Sequence, residues 1–465
     1  MKIEQIYTGC LAEAAYYIES DGEVAIIDPL RESAPYMRKA EQDGAQIKYI
    51  FETHFHADFV SGHVELANKT GATIVYGPKA NCHFNCYEAK DGEEFKVGRV
   101  TIKVLHTPGH TQESSTFLLK DEQGKDVCIF TGDTLFIGDV GRPDLAIKTD
   151  LTREDLAGML YNSLHNKILP LADDVIIYPG HGAGSACGKS MSTETYDTLG
   201  HQKEVNYALK AKSKEQFIKE VTEGLLPPPQ YFSKNAMMNK QGATSLDDIY
   251  EKGLRILEPA DFETMVEATD ALILDTRDPQ DFAKGFVPGS INIGLNGQFA
   301  PWVGALIVDL QQPIAIVCYP GSEEEAVRRL ARVGYDNTVG CLKGGLDNWR
   351  AAGKPVEVVN SLSPADFEKL YHAELKVLDV RRFAEHETGH VANAENKPLD
   401  YINDWMHELQ RETTYYIHCA GGYRSMITAS ILKSRGFDNI VEVAGGYSAI
   451  SKTGVPKTNE TSVTK

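Results

Sequence analysis

The sequence predicts an α/β protein of three domains, and three observations carry that expectation. Short apolar runs alternate with polar loops and helix-like stretches through the first third: E-V-A-I-I-D-P from Glu23, K-Y-I-F-E-T-H from Lys48, T-I-V-Y-G from Thr73, V-C-I-F-T-G-D from Val127 and V-I-I-Y-P-G-H from Val175. The last third repeats itself: Leu274-Asp275-Thr276-Arg277 returns as Leu378-Asp379-Val380-Arg381, an offset of 104, and Cys318 returns as Cys419, an offset of 101. The 465 residues exceed what one core serves, since domains run to roughly 150 residues each.

The first strand-like runs each end in a metal-ligating residue type. Residues 53–59 read T-H-F-H-A-D-F and place His54, His56 and Asp58 at alternating spacing, with Phe59 where a further donor is expected. Downstream, His110 in T-P-G-H-T, Asp133 in T-G-D-T-L-F and His181 in Y-P-G-H-G each close an apolar run, so four strand ends converge on one site. A phenyl ring has no lone pair to donate, so Phe59 favours one metal ion over two.

The order H-x-H-x-D, then His, then Asp, then His resembles the metallo-β-lactamase superfamily over about residues 1–240, and that resemblance implies an αβ/βα sandwich. Phe59 departs from the family pattern and disfavours its dinuclear zinc hydrolases. What remains is similar to the mononuclear iron branch, the persulfide dioxygenases, and G-D-T-L-F-I-G-D-V-G-R-P-D-L from Gly132 to Leu145 resembles that branch's version of the segment. The resemblance implies one Fe(II) per chain held by His54, His110 and Asp133. Two histidines and a carboxylate on one face leave positions open for a substrate sulfur and O2. For His56, Asp58 and His181, ligation and support of the ligands remain equally open.

Leu156, Leu160, Leu164 and Ile168 recur at helical spacing and predict a core-facing helix over 152–171. The run L-P-P-P-Q at 226–230 breaks regular structure, and M-M-N-K-Q-G-A-T-S reads as a linker into a new unit. These signals set the expected domains at 1–245, 246–356 and 357–458, with a polar tail at 459–465.

Beyond the linker each repeat has a strand ending in L-D-x-R, a G-x-V segment, a strand delivering a cysteine into a six-residue loop, a helix, and a late G-G pair. Each resembles a rhodanese domain, over about 250–356 and 361–457. In the second, Cys419-Ala420-Gly421-Gly422-Tyr423-Arg424 precedes S-M-I-T-A-S-I-L-K, expected to be a helix apolar on one face. Loop N–H groups and the helix N-terminus favour a thiolate and an oxyanion, and Arg424 adds a fixed charge. Cys419 is therefore the expected sulfur-transferring nucleophile. In the first repeat the loop is Cys318-Tyr319-Pro320-Gly321-Ser322-Glu323, followed by Glu324 and Glu325. Carboxylates at the helix start occupy the positive field and Pro320 removes a donor, so this copy is expected to be inactive.

Three weaker signals complete the reading. A-G-S-A-C-G-K-S at 183–190 fits a relaxed nucleotide-loop pattern but follows His181 too closely to be one. Cys187 within it is either a persulfide acceptor facing the metal cleft or a packed small hydrophobe, and Lys189 is a weak candidate for attracting an anionic thiol carrier. Cys82 and Cys86, four apart, are expected to be incidental. The net charge of −19 argues against nucleic acid, no apolar run spans a membrane, and eight irregularly spaced cysteines fit a reducing cytoplasm.

The expected function is therefore a cytoplasmic enzyme that oxidises a low-molecular-weight persulfide (of glutathione, coenzyme A, cysteine or a similar thiol) with O2 to sulfite and uses Cys419 to form thiosulfate in sulfide detoxification. A homo-oligomer is compatible with the sequence. The alternatives are a zinc thioester hydrolase of the glyoxalase II type with appended rhodanese domains, and a sulfur carrier acting only through Cys419.

Overall fold

The computed structural model describes residues 1–145, 151–225 and 227–459. Most of the expected polar tail, and Leu226 of the breaker run, lie outside the described residues. The chain divides into two compact units, one of residues 1–246 with 331–334, the other of residues 247–330 with 335–465.

In the first unit the predicted runs form two six-stranded sheets. One contains Lys2–Thr8, Glu13–Ser20, Glu23–Ile27, Gln46–Glu52, Thr73–Tyr76 and Tyr87–Glu88 in that spatial order. The other runs from Asp197–Thr198 through Ile176–Pro179, Asp126–Gly132, Ser115–Lys120 and Val100–His106 to Glu94–Val97. Strand alternation decides the layers. Ala14, Tyr16 and Ile18 join Phe117, Leu119 and Phe130 in a core between the sheets. Ala15 and Tyr17, one residue out of phase, pack outward with Tyr36, Ala40 and Leu66 of flanking helices. On the opposite face Leu118, Ile129 and Ile177 pack against Leu156, Leu160, Leu164 and Ile168. That stripe begins in the helix Arg153–Ser163, which Thr152 and Asp155 start with a reciprocal capping box, and ends in the π-turn Leu164–Ile168.

The expected linker is partly helical. Phe232–Gln241 is an α-helix that takes in Met237, Met238, Asn239 and Lys240, and it stops at Gly242, whose φ is +87°. Burial of Asn235 and Asn239 overrides the polar composition that suggested a loop. Cys82 and Cys86, expected to be incidental, are joined in a disulfide with Cα atoms 6.6 Å apart. That Cα separation is within the span a disulfide bridges, and it needs no wider framework.

The second unit contains two parallel five-stranded sheets with the same strand order. In the first, Ile256–Leu257, Thr338–Leu342, Ile314–Val317, Leu272–Asp275 and Ile291–Asn292 are neighbours in turn; in the second, Asn360–Leu362, Ile440–Val443, Tyr415–His418, Lys376–Asp379 and Glu395–Asn396 are. The shared L-D-x-R motif is a structural clamp. Arg277 grips Asp275 and reaches the Gly285 carbonyl at 2.8 Å, while Arg381 grips Asp379 and reaches Gly389 at 2.8 Å. The helix Tyr423–Ser434 departs from the expected one-sided pattern, because every residue from Ser425 to Leu432 is buried. It packs on its own sheet and on the first repeat, where Ser430 Oγ accepts the Asn292 N–H at 2.8 Å.

Candidate functional site

Four loops at the ends of Gln46–Glu52, Val100–His106, Asp126–Gly132 and Ile176–Pro179 carry the predicted residues. His54, His110 and Asp133 come together, each offering one ligand atom within 4.8 Å of the others. Asp133 Oδ2 lies 3.4 Å from His110 Nε2 and 3.8 Å from His54 Nε2. All three side chains are buried, and neither His54 Nε2 nor Asp133 Oδ2 has a hydrogen-bond partner among the described residues. Buried polar atoms are almost always paired, so two orphans converging with a third nitrogen fit a cation.

The far side of each ligand is fixed. His54 Nδ1 is 3.0 Å from Thr53 Oγ1, which donates to Asp28, and His110 Nδ1 donates to the Arg142 carbonyl across 2.9 Å. Arg142 belongs to the G-D-V-G-R-P-D-L segment, which folds back over the ligands and is locked by Arg142–Asp144 hydrogen bonds of 2.6 and 2.8 Å. That close return needs Gly141, where a Cβ would stand 1.9 Å from the Asp133 carbonyl oxygen.

His181 lies beside the triad, bonded at Nδ1 to Asp133 Oδ1 (2.8 Å) and at Nε2 to Asp58 Oδ2 (2.7 Å). Burial disfavours its charged ring, yet the two carboxylates outweigh burial and raise its pKa well above the usual histidine value. Cys187 groups with Asp58 and His181; burial first, then Asp58 and Asp133, push its thiol well up. His56 turns away from the triad, its Nε2 3.1 Å from Asp28 and 3.4 Å from Glu52, and its ring lies against the fully buried Phe59 with centroids 4.3 Å apart. In this loop Phe59 offers no donor, and His56 is engaged by Asp28 and Glu52.

Sequence reasoning missed two buried polar residues of this unit, of which Asn239 holds the loop. Asn239 donates to the carbonyls of His56 (2.8 Å) and Phe59 (2.7 Å) and accepts the Ser61 N–H (2.8 Å). Glu13 is fully buried with both oxygens unpartnered among the described residues, and burial raises its pKa well above the carboxylate range. Neither has a local signature. The nucleotide-loop decoy is filled by the chain itself, since Asp139 Oδ2 accepts the N–H groups of Lys189 (2.6 Å) and Ser190 (2.7 Å). Lys189 Nζ donates to the Glu220 carbonyl at 2.6 Å, so it is engaged away from any anionic carrier.

In the second unit, Cys419 and Arg424 line one cavity of about 430 Å³ together with Arg382, Glu385, Tyr423 and, from the first repeat, Trp302. Cys419 Sγ accepts the Gly422 N–H at 3.1 Å, and Gly422 has a φ of +101° that turns the loop into the helix. Arg424 is already held: it donates to both oxygens of Glu385, at 2.6 and 2.7 Å. In the first repeat Glu323 Oε2 accepts the Gly321 N–H at 2.8 Å, so the loop's own carboxylate occupies a cradle donor. Burial, then the negative surroundings of Cys341, Glu323 and Asp275, push the Cys318 thiol well up.

Known proteins parallel this layout. The chain matches the metallo-beta-lactamase superfamily over residues 8–181 and the rhodanese-like domain over 258–352 and 363–453. It is 34% identical to a probable hydroxyacylglutathione hydrolase of Schizosaccharomyces pombe over 36% of this chain, spanning 62% of that relative. It is 30% identical to the mitochondrial persulfide dioxygenase ETHE1 of Homo sapiens over 45% of this chain and 74% of that protein. A crystal structure titled metallo-beta-lactamase from Staphylococcus aureus subsp. aureus COL superposes with a TM-score of 0.65 at 31% identity, covering 74% of this chain and 99% of that one. No helix among the described residues is long and apolar enough to cross a membrane. The sandwich, the convergent His and Asp residues and the repeated parallel sheets thus place the chain in the metallo-β-lactamase superfamily, with two rhodanese-like domains following that fold.

Proposed function

We propose that the protein is a non-haem Fe(II) persulfide dioxygenase and sulfurtransferase, which oxidises a low-molecular-weight persulfide to sulfite and joins a second sulfane sulfur to it as thiosulfate. The observation that carries the reading is the convergence of His54 Nε2, His110 Nε2 and Asp133 Oδ2, a three-donor set in a chain whose Phe59 supplies no further donor. Such a set suits iron, which, when bound, brings persulfide sulfur and O2 together. The overall change balances as RSSH + O2 + H2O → RSH + SO3²⁻ + 2H⁺, four electrons passing from the sulfane sulfur to O2.

The chain's residues have separate tasks in this reading. Thr53 and the Arg142 carbonyl orient the two imidazoles, and His181 fixes Asp133 through Oδ1, which leaves Oδ2 for the metal. Asp58 holds the other His181 nitrogen. Cys187, with its thiol pushed up, stays a neutral wall of the cleft. In the second unit the Cys419 thiolate attacks the outer sulfur of a persulfide, the organic thiolate leaves, and sulfite then takes the sulfane sulfur from Cys419. Arg424 receives the oxyanion in exchange for its Glu385 partner. Cys318 is silent.

The similarity to hydroxyacylglutathione hydrolases supports a second reading, a zinc thioester hydrolase. Phe59 weighs against it, because it removes a donor from the second-metal position. One experiment separates the two: O2 uptake on adding glutathione or coenzyme A persulfide to protein loaded anaerobically with Fe(II), beside a zinc-loaded sample. Uptake in the iron form alone is expected; thioester hydrolysis by the zinc form without O2 uptake in either would replace the reading.

A further inference from the structure

A buried carboxylate stands behind Cys419. Cys419 Sγ donates to Ser425 Oγ across 3.5 Å, and Ser425 Oγ donates to Glu442 Oε1 across 2.9 Å. Glu442 is fully buried on the strand Ile440–Val443. Its second oxygen accepts from Ser361 Oγ at 2.6 Å and, from the first repeat, Gln280 Nε2 at 3.3 Å. The polar groups facing it are thus Ser425 from the helix, Ser361 from the edge strand and Gln280 from the helix Pro279–Ala283, none of them a cation.

A carboxylate buried against hydroxyls and an amide, without a positive partner among the described residues, is an expensive group to keep. The repeats show where it is kept. At the 101-residue offset that aligns Cys318 with Cys419, Glu442 is replaced by Cys341 and Ser425 by Glu324. The chain of groups is present behind the loop with the glycines and Arg424 and absent behind the loop capped by Glu323.

We propose that Glu442, acting through Ser425, accepts the Cys419 thiol proton, so that Cys419–Ser425–Glu442 is a proton relay that generates the attacking thiolate. This rests on the reading of Cys419 as the sulfur-transferring thiol. Cys419 Sγ gives its proton to Ser425 Oγ as Ser425 passes its own to Glu442 Oε1, leaving a thiolate and a neutral acid. When the thiolate attacks the outer sulfur of an organic persulfide, the S–S bond breaks and the organic thiolate departs with the bonding pair. The proton stored at Glu442 returns through Ser425 to that leaving group, and no oxidant or reductant is consumed. Burial raises the Glu442 pKa, in the direction a proton acceptor for a thiol requires. Glu442 touches no substrate and is a positioning residue in this scheme.

The sign of one measurement separates a relay from a bystander. A carboxylate that merely sits nearby disfavours a thiolate, so removing its charge would speed alkylation of Cys419. A proton acceptor does the reverse. Iodoacetamide alkylation of Cys419, read by mass spectrometry of its peptide in the full chain, is compared at neutral pH for wild type, Glu442→Gln and Ser425→Ala. About tenfold slower labelling is expected in both variants, the equivalent of one pKa unit, with rates converging at about pH 10, where hydroxide removes the proton directly. Cys318 labelling is the internal reference for opening of the unit, and Ser425→Ala, which leaves the Ser361 and Gln280 bonds to Glu442 in place, decides the question if Glu442→Gln fails to fold. Equal or faster labelling of Cys419 at neutral pH overturns the proposal. Sulfur transfer from persulfide to sulfite by the wild type is measured alongside. Its absence with the expected labelling pattern removes the sulfurtransferase reading and leaves the relay, while its presence with faster labelling does the opposite.

Discussion

Replacing Asn239 with alanine tests whether the metal loop is held from behind. The side chain makes three buried hydrogen bonds, to the His56 carbonyl, the Phe59 carbonyl and the Ser61 N–H, at 2.8, 2.7 and 2.8 Å. Each contributes about 1 kcal/mol net, and the alanine leaves three backbone groups without that partner, so the loss is about 3 kcal/mol. If that loss falls on the loop while the rest of the unit stays folded, metal affinity drops by roughly 100-fold, at 1.4 kcal/mol per factor of ten. Competition with a metallochromic chelator reads that shift, and the melting transition of the first unit should fall by roughly 6–12 °C. Asn239→Asp keeps the Ser61 contact but sets an oxyanion against two carbonyls, so it should be no better than alanine. Wild-type metal affinity in Asn239→Ala would refute the reasoning, because a loop held only by its strand and by Phe59 packing would not notice the change.

Other outcomes follow from the same geometry. Cys419→Ser should redirect product from thiosulfate to sulfite while O2 uptake continues, as ion chromatography of the products would register; undiminished thiosulfate would remove the role of Cys419. Phe59→His adds a donor to the loop that carries His54, His56 and Asp58 and should raise the metal content measured by plasma emission above one ion per chain; an unchanged stoichiometry would mean that Phe59 is not what limits the site. Acid stability should depend more on Asp379 than on its counterpart Asp275. Burial opposes the Asp379 charge, but the His386 and Arg381 hydrogen bonds overcome it and hold its pKa well below the carboxylate range. In Asp275, with Phe282 at the place of His386, burial wins and the pKa is raised. A depressed folded pKa stabilises above the unfolded value of about 4 and loses that contribution as pH falls through the folded one. Asp379→Asn should therefore flatten the acid limb of the unfolding curve below about pH 4, and Asp275→Asn should not; circular dichroism titration distinguishes them.

The parts of this protein that were legible in its sequence are those written in local period or in repetition. The apolar runs closing on His54, Asp133 and His181 become sheet strands, and the offsets of 101 and 104 fix two copies of one sheet order. The convergence of His54, His110 and Asp133 was legible because each closes a strand-like run. What stayed hidden depends on contacts between distant segments. Asn239 reaches Phe59 across 180 positions, and its own neighbourhood reads as polar linker. The helix after Cys419 looks two-faced until the first repeat covers its polar side through Ser430. Glu385 gave no hint that it grips Arg424, since 39 residues separate them. The Cys82–Cys86 bond was missed because a count of cysteines speaks to frameworks, not to a single tight loop.

The Glu323 carboxylate, which takes the Gly321 N–H in the first repeat, has a consequence for occupancy. A loop that carries its own counter-ion is saturated before any solute arrives, at a local concentration no diffusing anion matches. On the function proposed above, an oxyanion would be received only in the second repeat, where it competes with Glu385 for Arg424. Had the first repeat's cradle stayed open behind an unreactive thiol, it would have stored the intermediate where nothing consumes it. On that reading the first loop holds no such trap, while its Trp302 still lines the cavity that contains Cys419.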